Sequence, residues 1–355
     1  KYFFEFFYPR GALQNPKKYL LQKTKFMPDK YKSVWVSHSS LRDFLSCDRL
    51  YYLKNVFKDP ATRRKINIAS PHLTLGIAVH KVIEDLKKIK SDAREKEIKE
   101  NLLNNFEKEW KKYNGKKGGF ETEEEEKGFY ERGEEMLQKI IDNPKILLNK
   151  IIPQNYFYAG DMIPNYYLSE DENIILCGSV DWIEYLENGS IRIVDFKTGR
   201  NDEDDDSFQL PIYYLLISNL MKQNSKKIYN ISEAAYWYLD HDNKKENSEH
   251  DEFHIVKIDD KKLKSIEENE KKILELGVQI KNLREKGLYV CKNEKAEGKG
   301  CRSCRDFERV YKYIQNRKNN FSETKVIDLD LEGDDLENVE YLGISDYNQD
   351  MYFVK

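Results

Sequence analysis

Apolar residues recur at helical spacing in several parts of the chain. In the stretch 36–57, "VSHSSLRDFLSCDRLYYLKNVF", they follow Ser39 and Ser40, either of which could cap a helix. The same spacing predicts three further helices, over 73–89, 207–222 and 259–286. The last of these is rich in charge and is predicted to be amphipathic.

Residues 91–150 are dominated by Lys and Glu, with an apolar residue at every fourth position from Ile98 to Trp110. This period predicts an amphipathic helix whose charges form a solvated face. The run "NGKKGG" (114–119) interrupts the pattern, because glycines favour a break in a helix. We therefore expect a helical insertion made of two parts.

Strand patterns dominate 173–197 and return at 233–240. The run "ENG" (187–189) joins two β-rich stretches and is typical of a hairpin turn. Two shorter β-like pieces, "KVIDLDL" and "DMYFVK", lie in the acidic C-terminal stretch. The order of helix, strands, helix and strand predicts an α/β fold of restriction-endonuclease-like architecture, with a central mixed sheet flanked by helices.

These patterns divide the chain of 355 residues into four parts. They are an N-terminal segment (1–36), a core (37–90 and 151–315), the helical insertion (91–150) and an acidic tail (326–355).

Composition narrows the function classes. The net charge of −3 argues against a globally basic nucleic-acid-binding protein, although a local basic groove is compatible with it. No apolar stretch reaches the length of about 18 residues that a membrane span needs, and no signal peptide is visible. Five cysteines, an odd number, favour a metal site or free thiols over a disulfide framework, and we predict a cytoplasmic location.

The stretch "IRIVDFKTG" (191–199) carries the first candidate chemistry. Asp195 and Lys197 share one strand face, and a three-residue loop at 187–189 would set Asp181 opposite Asp195. A two-residue Asn–Gly turn would shift this register by one. Two opposed carboxylates repel each other unless a cation lies between them, and Mg²⁺ or Mn²⁺ prefers such oxygen ligands. The alternative is a surface Asp–Lys pair, worth under about 1 kcal/mol.

Two helices add polar side chains at a spacing of four. His80 and Glu84 share one helix face, where His80 could bind a metal. Glu84 could bind or orient one and is a candidate catalytic residue. Gln209 and Tyr213 share a face of another helix and could contact a phosphate backbone or Lys197. Each residue alone could equally be structural.

Together, "GIAVH", "GSVDWIE", "IVDFKTG" and "QLPIYY" resemble, in this order, the RecB-like branch of the PD-(D/E)XK nucleases. The resemblance covers roughly 37–90 and 150–310. It implies that His80, Asp181 and Asp195 bind a metal together with the Phe196 carbonyl. It also implies that Lys197 is catalytic, supported by Gln209 and Tyr213.

The cysteines extend the resemblance. In the AddB nuclease domain and the nucleases of CRISPR adaptation, an upstream cysteine joins three C-terminal cysteines around a [4Fe–4S] cluster. The corresponding residues here are Cys47, Cys291, Cys301 and Cys304. The family's last cysteine position is occupied by Val310, so the fourth ligand is supplied differently or the cluster is absent. Zn²⁺ and free thiols are the alternatives, and Cys177 is predicted to be a core residue.

The resemblance implies metal-dependent hydrolysis of DNA, single-stranded or with free ends. It places the protein in repair, recombination or CRISPR-type antiviral defence, where protein partners are possible. Two rivals stay open. One is a catalytically silent nucleic-acid-binding or scaffold subunit with a nuclease fold, and the other is a restriction-type endonuclease.

Overall fold

The computed structural model describes most of the chain. The described residues are 30–152, 163–199, 208–224, 227–240, 253–291, 301, 303–317 and 338–355. The predicted strand "KVIDLDL" and most of the N-terminal segment lie outside them.

Helices and strands are interspersed along the described part of the chain. The helices are α1 (His38–Ser46), α2 (Asp48–Tyr51), α3 (Pro71–Asp85), α4 (Ser91–Trp110), α5 (Glu123–Asp142), α6 (Gln209–Asn224), α7 (Asp260–Lys286) and α8 (Arg305–Asn316). The strands are β1 (Val34–Val36), β2 (Ile66–Ile68), β3 (Asn165–Ser169), β4 (Ile174–Cys177), β5 (Trp182–Tyr185), β6 (Ile191–Lys197), β7 (Ile231–Tyr238), β8 (Phe253–Lys257), β9 (Val339–Ile344) and β10 (Asp350–Val354).

The strands pair in three sheets. The largest has the order β5–β6–β7–β8, with β6 parallel to β7 and the outer pairs antiparallel. A second sheet has the order β1–β4–β3, and a third has the order β2–β10–β9. All three mix parallel and antiparallel pairs, which confirms the predicted α/β class with mixed sheets. In the described part, no helix is long and apolar enough to cross a membrane.

The four-stranded sheet is covered on both faces. Ile193 and Ala234 point into one core with side chains of α6 and α7. Val194 and Trp237 point the other way, into a second core with side chains of α3, α4 and α5. Because side chains alternate along a strand, each residue of β6 has its face fixed by the register.

The first helix begins earlier than the sequence suggested. Its N-cap is Ser37, whose Oγ accepts a hydrogen bond from the Ser40 N–H at 3.2 Å. The Ser40 Oγ in turn accepts one from the Ser37 N–H at 2.8 Å. The prediction of Ser39 or Ser40 as the cap was therefore wrong, because Ser40 is the third-position partner in a capping box.

The charged insertion packs its apolar stripe inward. Ile98, Phe106 and Trp110 of α4 are buried in the second core. The predicted break separates α4 from α5, and its Gly119 has a φ of +83°. A Cβ there would stand 2.5 Å from the Ser70 backbone nitrogen, so both conformation and space require glycine. The division into domains stays a prediction.

The C-terminal stretch completes the third sheet. β10 lies parallel to β2 and antiparallel to β9, so the predicted β-like piece "DMYFVK" is a strand. Asp350 at its start is fully buried and accepts hydrogen bonds from the hydroxyls of Thr62 and Tyr341. Residues more than 280 positions apart in sequence are thereby joined.

A buried arginine ties the insertion to the sheet. Arg94 of α4 is 2 % exposed and donates hydrogen bonds to the carbonyl oxygens of Leu86, Ile89, Leu147 and Asn149. Its guanidinium carbon lies 5.2 Å from the centre of the Trp182 ring. The side chain thus ties the end of α3 and the segment after α5 to α4 through hydrogen bonds to four carbonyl groups.

We expect Arg94→Met to lower the free energy of unfolding by about 3 kcal/mol, because all the hydrogen bonds of the buried guanidinium are lost together. Lys99→Met is the matched control: Lys99 lies on the same helix but is exposed and pairs only with Glu95. That control should cost no more than about 0.5 kcal/mol. Denaturant unfolding measures both, and equal losses would contradict the role given to Arg94.

Candidate functional site: a carboxylate site and a cysteine site

The hairpin of β5 and β6 places two aspartates together. Trp182 pairs with Val194 and Ile183 with Ile193, which is the register of a three-residue loop. Continued by one residue, this register sets Asp181 opposite Asp195, as predicted. The Asp181 Oδ2 accepts a hydrogen bond from the Phe196 N–H at 3.0 Å. The Asp181 carboxylate is therefore held against the end of β6.

Helix α3 brings His80 to the same point. The His80 Nδ1 lies 3.4 Å from the Asp181 Oδ2. One turn earlier, α3 passes close to the end of β6, where a Cβ on Gly76 would stand 3.4 Å from the Thr198 Oγ1. The face of α3 that carries Gly76 and His80 is thus the face that meets the carboxylates.

Helix α6 holds the other aspartate. The Asp195 Oδ1 accepts hydrogen bonds from the Gln209 Nε2 at 3.0 Å and the Tyr213 hydroxyl at 3.1 Å. Lys197 Nζ lies 2.9 Å from the Asp195 Oδ2 and donates a hydrogen bond to the Gln209 Oε1. Asp195, Lys197, Gln209 and Tyr213 therefore form one contact network.

The four predicted cysteines also meet. Their sulfur atoms all lie within 4.8 Å of one another, with the Cys291 Sγ 3.7 Å from that of Cys47 and 3.9 Å from that of Cys304. None of these four cysteines forms a disulfide bond. Cys47 lies between α1 and α2, whereas Cys304 caps the N-terminus of α8. Cys291 therefore belongs to the same group of sulfurs as the other three cysteines. Val310, at the family's last cysteine position, is a fully buried apolar residue.

Comparison with known proteins identifies the family of this chain. Residues 35–306 match the family model of the PD-(D/E)XK nuclease superfamily. The chain belongs to this superfamily. A crystal structure from Eubacterium rectale, titled "Putative exonuclease", is similar at 14% identity with a TM-score of 0.36, over 73% of this chain and 86% of that one. A search of the curated proteins gives no match.

In this PD-(D/E)XK chain the two carboxylates have different electrostatic environments. Burial disfavours the ionised form of Asp181, but the hydrogen bond and charge of His80 lower the pKa of Asp181 below its usual value. Burial and the neighbouring charge of Asp181 raise the pKa of Asp195, although Lys197 opposes this rise. Asp195 is therefore the carboxylate that gains most from a cation.

The His80 ring responds to the same charges. Burial favours its neutral form, but the hydrogen bond to Asp181 and the charges of Asp181, Asp195 and Glu84 raise the pKa of His80 above its usual value. Protonation of the ring would therefore compete with the metal binding predicted for His80.

Glu84 lies at the rim of the site. Its side chain is 39 % exposed, and its Oε1 is 3.8 Å from the Lys87 Nζ. Glu84 thus acts on His80 through its charge, and its predicted catalytic role stays a prediction. Lys87 also lies near the site and was not predicted from the sequence. Burial lowers the pKa of Lys87, although the charges of Glu84 and Asp181 oppose this. Its position seven residues after His80 in the predicted helix 73–89 was the available signal, although α3 ends at Asp85 and Lys87 lies in the 3-10 turn that follows.

The oxygen donors of the site suit a hard divalent cation. The Asp195 Oδ2 is buried and has no well-directed hydrogen bond among the described residues. In those residues, however, the cysteines are the one set of three or more metal-binding side chains gathered within 4.8 Å. Asp181 faces His80, whereas Asp195 faces α6. The three predicted metal ligands His80, Asp181 and Asp195 are therefore neighbours, but their ligand atoms do not all lie within 4.8 Å of one another. The ligand role of the Phe196 carbonyl stays a prediction.

The cysteine geometry suits a single small ion. A tetrahedral Zn²⁺ with bonds of about 2.3 Å separates its sulfur ligands by about 3.8 Å. The two distances from Cys291, 3.7 and 3.9 Å, match this value. A four-iron cluster is larger and would need the sulfurs to move apart. Cys177 stands away from this set as a buried core residue, as predicted, and burial raises the pKa of its thiol to about 12.

We expect Asp195→Asn to stabilise the metal-free protein at pH 7 by on the order of 1 kcal/mol. The pKa of Asp195 is raised in the fold. Its contribution to stability is therefore complete below the unfolded value of about 3.9 and is lost as the pH rises through the folded value. The gain from the substitution should accordingly vanish near pH 4. Thermal unfolding at both pH values measures it.

Asp85→Asn is the matched control. Partial burial disfavours the ionised form of Asp85, but the hydrogen bonds from Lys88 and Lys81 lower the pKa of this carboxyl below its usual value. The substitution should therefore not stabilise the protein at pH 7. A stabilisation equal to that of Asp195→Asn would show that removing any carboxylate suffices, and would contradict the special environment of Asp195.

Proposed function

We propose that the protein is a metal-dependent DNA nuclease that hydrolyses phosphodiester bonds. Membership of the PD-(D/E)XK superfamily supports a nuclease. The observation that carries the proposal is the network of Asp195, Lys197 and Gln209 at the end of β6, beside the pair of His80 and Asp181. This arrangement gathers acidic, basic and amide groups at one strand end.

Asp181, Asp195 and His80 would hold Mg²⁺ or Mn²⁺, together with the Phe196 carbonyl. Such an ion would neutralise the two carboxylates and would supply an activated water for attack on a phosphate. Lys197 donates hydrogen bonds, so it can orient the attacking water and stabilise charge on the phosphate. Gln209 and Tyr213 hold the Asp195 and Lys197 side chains in place through hydrogen bonds. The four side chains therefore act as one unit.

The substrate is proposed to be DNA that is single-stranded or has free ends. This part rests on the resemblance of the four motifs to the RecB-like branch, as does a role in repair, recombination or CRISPR-type defence. A catalytically silent scaffold is the rival. The complete set of His80, Asp181, Asp195 and Lys197 favours an active enzyme, since a silent site has no need to retain all four.

We expect Lys197→Ala to lower the rate of DNA cleavage by at least about 10²-fold with Mg²⁺ or Mn²⁺, because the substrate loses its positioned cation. Lys222→Ala, on the exposed end of α6, is the matched control and should cleave normally. Linear and closed-circular single-stranded DNA serve as substrates. Equal rates for Lys197→Ala and the native protein would refute the assignment, and cleavage of the circle would refute strict dependence on ends.

The cysteine site is proposed to hold a structural metal group. The resemblance favours a [4Fe–4S] cluster, whereas the sulfur spacing favours Zn²⁺. Either group would link α1 and α2 to the N-terminus of α8, and so would fasten distant parts of the chain together.

We expect protein purified without oxygen to contain a stoichiometric metal group that Cys304→Ser removes or weakens. Elemental analysis and the visible spectrum distinguish the two groups. Four irons per chain with brown absorbance near about 400 nm indicate the cluster, and one zinc without colour indicates the ion. Cys177→Ser is the matched control and should retain the metal. Absence of both metals from the native protein would refute the site.

A further inference from the structure

A buried ion pair lies directly beside the cysteine site. Arg49 Nη1 pairs with the Glu308 Oε1, and the two residues are 7 % and 2 % exposed. The same Glu308 oxygen lies 3.4 Å from the Cys304 Sγ. Arg49 follows Cys47 by two positions on α2, and Glu308 follows Cys304 by one turn on α8. The pair therefore joins the two helices that carry ligands.

Both members act on the sulfurs through their charge. Burial alone would lower the pKa of Arg49, but the hydrogen bond and charge of Glu308 and the nearby Cys304 and Cys291 raise it. The Cys304 sulfur lies within 4.8 Å of the other three cysteine sulfurs, so the Glu308 carboxylate lies close to the whole set. A carboxylate beside a thiolate is unfavourable unless a cation accompanies it.

The charge of a filled site has a definite sign. Four thiolates around one divalent ion carry a net charge of −2, and four thiolates around a four-iron cluster are also net negative. Because the site is buried, this charge is poorly screened by water and interacts strongly with its neighbours. A nearby cation then stabilises the filled site, and a nearby anion destabilises it.

We propose that Arg49 and Glu308 form a charge-balancing pair that sets how tightly the four cysteines hold their metal group. Arg49 offsets the thiolate charge, Glu308 opposes it, and the neutral pair limits the affinity. Both are positioning residues, since neither contributes a ligand atom. The inference rests on the proposed cysteine site but holds for zinc and for a cluster alike, because it depends only on the sign of the charge.

A purely structural role for Arg49 and Glu308 would predict a different effect on metal binding. If the two residues only connect α2 to α8, loss of either one loosens the site and weakens metal binding. If they balance charge, Glu308→Gln leaves a permanently charged Arg49 beside the thiolates and strengthens binding. The two roles therefore predict opposite directions for one variant, and a gain in affinity cannot arise from misfolding.

The experiment titrates reduced, metal-free, full-length protein with Co²⁺ against a chelator of known affinity. The absorption of tetrahedral Co²⁺–thiolate sites reports binding. We expect Glu308→Gln to bind at least about tenfold more tightly than the native protein. The double variant Arg49→Met with Glu308→Gln restores a neutral pair and should return to within about threefold of the native affinity.

Two controls separate the possible failures. Glu95→Gln removes an exposed acid on α4 and should leave the affinity unchanged, which excludes an effect of overall charge. Cys304→Ser should abolish the thiolate spectrum. Absence of that spectrum in the native protein would overturn the cysteine site and the charge-balancing pair with it. Normal native binding with unchanged or weaker binding in Glu308→Gln would overturn the charge-balancing pair alone.

Discussion

The repulsion between two neighbouring carboxylates, one buried and one partly exposed, is the constraint around which the site is arranged. The register of β5 and β6 sets Asp181 opposite Asp195, and the two side chains are 14 % and 7 % exposed. Each carboxylate therefore needs its own set of partners. His80 and a backbone N–H hold Asp181, whereas α6 and Lys197 hold Asp195. Helix α3, strand β6 and helix α6 therefore each supply partners to one of the two carboxylates.

The surrounding packing fixes this convergence. Residues on either side of Asp195 alternate between two cores, so a slip of β6 by one position would move each apolar side chain into the other core and turn Asp195 away from α6. The helical insertion contributes to the same rigidity, since its buried Arg94 lies against Trp182, the residue after Asp181. An insertion whose sequence suggests a charged surface feature thus supports the strand end that carries the chemistry.

The cysteine site links residues that are far apart along the chain. Cys47 and Cys291 are separated by 244 positions, yet their sulfurs lie 3.7 Å apart. The third sheet has the same effect, because β10 pairs with β2 across most of the sequence. Closing such long loops costs somewhat more chain entropy than closing short ones, and these contacts must offset that cost.

The sequence by itself determined the local elements and the chemistry-bearing residues. Helical and strand periods located α3, α6, α7 and the hairpin, and the four motifs selected His80, Asp181, Asp195 and Lys197, because period and residue type are local properties. Only the tertiary structure decided which partner each charge meets. It placed Glu84 at the rim, brought Cys291 to the other cysteines and set Arg49 against Glu308. Such choices depend on packing between distant segments, and no local pattern encodes them.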